Sequence, residues 1–145
     1  MTVFSKQNFY LKFLGFLTKK GYTIKAKKIF FNCFFSISKK KRLSTEYILF
    51  FIYKKLKSYV ETKNLQIRKR TFIVPFGTTS KRRLYLILKW IINSALANKR
   101  KIPLSRKLYF ELLKLLNKKY SKIVYNKKKI IRNAIKNRAN SHYRW

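Results

Sequence analysis

The side chains able to do chemistry in this chain are almost all cationic. Thirty-eight Lys and Arg stand against three acids, Glu46, Glu61 and Glu111, for a formal charge of +35 over 145 residues. Lys dominates, so the Arg positions are the more informative ones: Arg68/Arg70, Arg82/Arg83, Arg132/Arg138 and Arg144. A guanidinium presents a planar fork of donors to a phosphate, which an ammonium does not. Basic clusters recur at Lys19 and Lys20, at residues 25–28, 39–42, 68–70, 81–83, 98–101 and 126–129. One charge run is usually a solvated face. Seven with almost no balancing acid fit many phosphate contacts made from several surfaces. A DNA reader concentrates its charge on one face, whereas charge on several surfaces suits a protein embedded in folded RNA.

Catalysis finds little to work with. Paired-carboxylate chemistry needs two acids at one site, and the three Glu are widely separated and expected on different helices. A Ser-His-Asp triad is impossible, because the chain has no Asp, and no glycine-rich phosphate loop occurs. One Cys and one His do not make a zinc site. Neither an enzyme, a cofactor, a metal nor a small-molecule substrate is expected. Glu111 reads as a structural ion pair or tertiary hydrogen bond, and Cys33 as a small buried hydrophobe. His142 reads either as a packed or exposed tail residue or as a contact to nucleic acid.

These cations need a scaffold. The chain is 47% hydrophobic and 17% aromatic, which a disordered basic tail would not be, and its length fits one domain over residues 1–145. Three Gly and two Pro leave room for long regular elements. Phe9, Tyr10, Phe13, Leu14 and Leu17 form one helical face, ended by Lys19-Lys20-Gly21. Ala26, Ile29, Phe30, Cys33, Phe34 and Ile37 give a second. Lys25, Lys27 and Lys28 at its start oppose the helix dipole, which points to an anion nearby. Ser44 or Thr45 caps a third helix running through Leu56 toward Tyr59. The alternation at 65–68 and the β-branched, aromatic run at 71–74 predict a hairpin over 65–75 with a basic tip. Thr78, Thr79 or Ser80 caps a fourth helix bearing Leu84, Ile87, Leu88, Ile91 and Ala95. Pro103 precedes a fifth with Leu108, Leu112, Leu115 and Leu116. Residues 118–122 read as a loop, and a last helix holds Ile130, Ile131, Ala134, Ile135 and Arg138. The fold class is mainly α, a six-helix bundle-like domain with a β-hairpin between the third and fourth helices.

The C-terminal pattern Ala134-x-x-Asn137-Arg138-Ala139-x-x-His142-Tyr143-Arg144-Trp145 resembles the closing signature of the small-subunit ribosomal protein seven family. Thr71-Phe72-Ile73-Val74-Pro75 resembles the family's Thr-Tyr-x-Val-Pro strand. Lys81-Arg82 leading to Leu84 and Leu88-Lys89-Trp90 resembles its basic pair and Leu-Ala-x-Arg-Trp helix. Leu108-Tyr109-Phe110-Glu111-Leu112 resembles its Leu-Ala-x-Glu-Leu. Lys12-Phe13, Lys19-Lys20-Gly21, Ala26, Ile29 and Phe31 match the first two helices.

The resemblance implies a structural protein that binds the 3′ major (head) domain of small-subunit ribosomal RNA and nucleates head assembly. Neighbouring head proteins would be its partners, and the exit-site transfer RNA and messenger path would lie close by. Carried over by position, the rRNA contacts are Lys19, Lys20, Lys25, Lys27, Lys28, Arg68, Lys69, Arg70, Lys81, Arg82, Arg83 and Arg138, with Lys127 and Lys128 just before the last helix. Arg68, Lys69, Arg70, His142, Tyr143, Arg144 and Trp145 would lie near transfer and messenger RNA. The family's paired hairpin glycines fall at Arg68-Lys69 here, its basic arm shortens to eight residues, and many of its surface Glu are absent. The short start leaves no room for a cleavable presequence. Abundant Lys, Ile, Phe, Tyr and Asn reflect AT-rich codons. Together these lead to the expectation of an organelle-encoded protein of the mitochondrial matrix ribosome, with a reduced plastid or an AT-rich bacterium as the alternatives. The competing class is a membrane-surface protein, since basic amphipathic helices with Phe and Trp also suit anionic lipid. No apolar run approaches the roughly 18 residues that span a bilayer.

Overall fold

The computed structural model describes residues 6–99, 101–117 and 119–144. Arg100, Lys118 and Trp145, which belong to the basic 98–101 loop, the 118–122 loop and the C-terminal signature, lie outside the described residues. The described elements are α1 (Lys6–Leu17), α2 (Thr23–Lys41), α3 (Thr45–Leu56), β1 (Val60–Ile67), β2 (Arg70–Gly77), α4 (Ser80–Leu96), α5 (Leu104–Leu116), α6 (Lys122–Lys136) and a 3-10 segment, Arg138–Tyr143. Six α-helices with a hairpin between the third and fourth are the architecture expected.

The apolar stripes converge as their spacing requires. Phe9, Phe13 and Leu17 of α1 meet Phe30, Cys33, Phe34 and Ile37 of α2 in one core with Ile48 and Ile52 of α3, Ile87, Leu88 and Ile91 of α4, and Leu108 and Leu112 of α5. Phe30 and Phe34 stack with centroids 4.2 Å apart, and Phe13 meets them edge-on at 5.4 and 5.8 Å. Such aromatic pairs add about 0.5–1.5 kcal/mol each beyond their buried area. Cys33 is buried, and burial pushes its thiol up to about 12, so it stays protonated and unreactive as a small hydrophobe.

Caps and punctuation explain the boundaries. The hydroxyl of Ser44 accepts from the Tyr47 amide at 3.2 Å, and that of Thr79 from the Arg82 amide at 3.4 Å, so these are the capping residues among the candidates. Pro103 precedes α5 as expected. Glu111, nearly fully buried on α5, accepts from Ser94 Oγ at 2.8 Å and Lys114 Nζ at 2.9 Å, the ion pair and tertiary hydrogen bond together.

Four expectations need correction. The third helix stops at Leu56 rather than continuing toward Tyr59. Glu61 lies on a strand, not a helix, because β1 begins at Val60. The hairpin spans Val60–Gly77, not 65–75, with Val60 opposite Gly77 and Ile67 opposite Arg70. It runs through Pro75, paired with Thr62; each strand of a two-stranded sheet is an edge, where a missing N–H is tolerated. Finally, α6 starts at Lys122, capped by Ser121, whose hydroxyl accepts from the Ile123 amide, and ends at Lys136. Lys127 and Lys128 therefore lie within the last helix rather than before it, and Arg138 lies beyond it on the 3-10 segment. Ile131 and Ile135 are exposed on α6; Ile123 and Ala134 are its buried residues.

The two-residue turn Arg68-Lys69 holds Arg68 at φ 53°, a conformation that costs an L-residue roughly 1–2 kcal/mol. Arg68→Gly is expected to stabilise the fold by about 1 kcal/mol, read by urea denaturation at about 1 M salt, where the Debye length of about 3 Å quiets charge repulsion. In the same assay Ser94→Ala, which strips one donor from the buried Glu111 carboxylate, is expected to cost about 1–3 kcal/mol. An unchanged midpoint for Ser94→Ala would show that this hydrogen bond carries no stability.

Candidate nucleic-acid interface

Three sets of cations stand around the core. The first begins at the α1–α2 turn. Lys20 and Gly21 both adopt positive φ, 51° and 77°, which folds the chain back after Leu17. Lys19, Lys20, Lys25, Lys27 and Lys28 are all exposed there. Phe16, near the end of α1, meets Tyr85 on α4 at 5.3 Å, and Arg82 lies over the same ring at 4.8 Å. The α1 end and the start of α4 are thus held side by side, which brings this turn next to Lys81 and Arg82.

The start of α4 is in turn clamped to the hairpin. Arg82 donates through Nε to Glu61 Oε2 at 2.8 Å and through a terminal nitrogen to Oε1 at 2.5 Å. Hydrogen bonding from Arg82 is the main cause that holds the Glu61 carboxyl below its ordinary value, and burial partly opposes it. Arg83 donates to the Thr78 carbonyl at 2.9 Å and lies over the Tyr59 ring at 4.4 Å. Thr78 itself donates to the Ser58 carbonyl at 2.7 Å. Of the three basic residues expected to contact RNA here, Lys81 and Arg82 are exposed and Arg83 is half-buried. Arg82 and Arg83 are spent mainly on fixing the hairpin base.

The second set is the hairpin tip, where Arg68, Lys69 and Arg70 are exposed. The C-terminal segment supports it from below. Phe72 packs against Tyr143 at 5.0 Å, Asn140 donates to the Ile73 carbonyl at 3.2 Å, and His142 lies 4.0 Å from Tyr143 with Nδ1 at 2.7 Å from the Ala139 carbonyl. His142 is an exposed member of this cluster.

The third set lines a groove of about 700 Å³ between the hairpin base and α6. Lys54, Lys57, Lys127, Arg138 and Arg144 border an apolar floor that includes Pro75, Phe76 and Ile131. Lys127 donates to the Lys55 carbonyl at 2.8 Å, and burial, aided by the charge of Lys57, lowers its ammonium below the ordinary value. Lys57 lowers the Tyr59 phenol by hydrogen bonding and charge. Crowded cations over an apolar floor make a site that favours an anion. Among the described residues no cluster of three or more His, Cys, Asp and Glu could hold a metal, and no helix is long and apolar enough to cross a membrane.

The family model described as Ribosomal protein S7p/S5e matches residues 2–138. The chain belongs to this family. Small ribosomal subunit protein uS7m of Reclinomonas americana is 30% identical over 138 residues, covering 95% of this chain and 86% of that protein. Small ribosomal subunit protein uS7 of Wigglesworthia glossinidia brevipalpis is 30% identical over 136 residues, 92% of this chain and 85% of that protein. Small ribosomal subunit protein uS7m of Drosophila melanogaster is 35% identical over 75 residues, which is 52% of this chain and 34% of that longer protein. As an S7-family member the chain is a structural protein of the small ribosomal subunit and not an enzyme.

For this S7 protein, sequence reasoning missed Lys54, Lys57 and Tyr59 in the third set and Glu61 as the partner of Arg82. A signal for them existed. Val60-Glu61-Thr62-Lys63 alternates as a strand does, and reading it would have ended the third helix early and exposed the groove. The Glu61–Arg82 clamp has a pH signature. Its folded-state pKa lies below the unfolded one, so its stabilisation is full above the unfolded carboxylate value of about 4.3 and disappears as pH falls through the folded value. Wild type is expected to lose stability across that acidic window more steeply than Glu61→Gln, measured by denaturation midpoints from pH 6 down to about 3. Parallel curves would show that the clamp contributes nothing.

Proposed function

We propose that this chain binds the 3′ major domain of small-subunit ribosomal RNA and nucleates assembly of the subunit head. The observation that carries the reading is the disposition of charge. Exposed cations occupy the α1–α2 turn, the start of α4, the hairpin tip and the α6 groove, while Glu61 and Glu111 are engaged inside the chain. Glu46 sits in the first turn of α3, where the helix dipole favours it. Negative charge must come from outside, and structured RNA supplies it on many sides at once. Lys19, Lys20, Lys25, Lys27, Lys28 and Lys81 serve one RNA face. Lys127, Lys128 and Arg138 serve another, with Arg82 and Arg83 acting through the hairpin base.

Arg68, Lys69 and Arg70 at the tip, with His142, Tyr143 and Arg144 near the C-terminus, form the end directed toward exit-site transfer RNA and the messenger path, a role that Trp145 shares by its place in the sequence. Neighbouring head proteins complete the partners. The uS7m designation of two relatives, together with the AT-rich composition, supports a place in the mitochondrial ribosome of the matrix, encoded in the organelle. No cofactor, membrane or small-molecule substrate enters this reading.

Binding to a head-domain RNA fragment is expected to weaken steeply with salt, log affinity falling against log salt by about 0.9 per duplex phosphate neutralised. Arg68→Ala with Arg70→Ala should lower affinity and flatten that slope while the helical circular dichroism is unchanged. Affinity indifferent to salt would remove the proposal, and an equal loss of helicity would remove the assignment of the tip.

A further inference from the structure

The longest helix carries a second apolar stripe that the core does not use. The inner face of α2 is Ala26, Phe30, Cys33, Phe34 and Ile37. On the opposite side Ile24, Phe31 and Phe35 are 70%, 62% and 69% exposed. With Lys28, Ser38 and the capping Arg42 they occupy positions 24, 28, 31, 35, 38 and 42, in alternating steps of four and three. A repeat averaging 3.5 residues keeps successive side chains facing one partner helix, and here its apolar members Ile24, Phe31 and Phe35 are interspersed with Lys28, Ser38 and Arg42. The C-terminal end of the stripe opens into a groove of about 560 Å³ lined by Phe35, Ser38, Lys39, Arg42, Leu43 and Ser44.

The charge beside this seam has one sign. Lys27, Lys28 and Lys39 are exposed there, and α2 has no acid. Arg42 closes the helix in the left-handed conformation, φ 52° and ψ 40°, where glycine is the usual and easier residue. A long cation is held at the end of an apolar stripe. Apolar centre, cationic borders and heptad spacing are the attributes of a helix-packing surface. Stacking on RNA would use the two Phe rings but has no use for Ile24 or for the repeat.

We infer that the outer face of α2 docks an acidic amphipathic helix of a neighbouring protein, its apolar seam on Ile24, Phe31 and Phe35 and its carboxylates facing Lys39 and Arg42. This rests on the reading that the chain sits in the small subunit. The partner supplies acids that this chain lacks, on a face away from the Tyr85 and Glu61 clamps that serve RNA.

The test uses intact small subunits containing the full chain. A zero-length carbodiimide reagent joins an ammonium only to a carboxylate in contact with it. Lys39 should join Asp or Glu residues of a single protein segment whose apolar residues recur at three and four. Phe31→Ser with Phe35→Ser should weaken docking on the order of a hundredfold, as loss of two aromatic anchors does, and remove those links while the chain stays in the subunit. Phe31→Leu with Phe35→Leu should keep them. Two results would overturn the inference: free acylation of Lys39 in the wild-type subunit, or ultraviolet cross-links from Phe31 or Phe35 to RNA bases. If the wild-type chain is missing from small-subunit fractions, both readings fall. If it is present with Lys39 free, only this one does.

Discussion

The bidentate pairing of Glu61 with Arg82 joins the hairpin base to the start of α4, and most of the RNA-directed surface depends on it. Arg82 also lies over Tyr85, which meets Phe16 at the end of α1. One carboxylate therefore sets the relation among hairpin, α4 and the α1–α2 turn. In a chain with three acids, such a contact has no substitute. A lone surface ion pair is worth little. This one gains from its fork geometry and from the low exposure of the Glu61 side chain, 12%.

The remaining carboxylates follow the same economy. Glu111 is buried between Ser94 and Lys114, where it ties α4 to α5. Elsewhere cations bond to backbone carbonyls: Lys55 reaches Leu115, Lys107 reaches Asn98 and Lys127 reaches Lys55. These carbonyls lie at or near helix C-termini, where orphan acceptors and the negative dipole end welcome an ammonium. Excess lysine thus does structural duty that acids would share in an ordinary protein.

Much of the fold was legible because it rests on periodicity. The stripes of α1, α2, α4 and α5 repeat at helical spacing, and their members are buried or, as with Tyr10, Leu14, Ile29, Leu84 and Leu116, pack partly buried against the core. Residues 57–64 and 122–128 were misread for a different reason. Val60-Glu61-Thr62-Lys63 alternates without a strong apolar partner at each step, so the helix before it appeared to continue. In α6 the lysines obscure the stripe, and Ser121 as its cap carries no signal beyond its type. The site was legible as a set of exposed cations but not as an arrangement. That Arg82 and Arg83 turn inward, toward Glu61, Thr78 and Tyr59, depends on the register of the hairpin, which no local pattern encodes.

The bracing of the hairpin has a mechanical consequence. Eight residues at about 3.4 Å each would make an arm of about 27 Å, and a two-stranded ribbon of that length bends readily. Tyr143 meets Phe72, only two positions from Arg70, and Asn140 grips the next carbonyl along. The unsupported part shrinks to the last turn and its neighbours. Bending compliance rises steeply with free length, so the C-terminus turns a whip into a short, stiff finger. Such a finger keeps its bearing when whatever it touches moves past, and little of its contact energy is lost to ordering the tip.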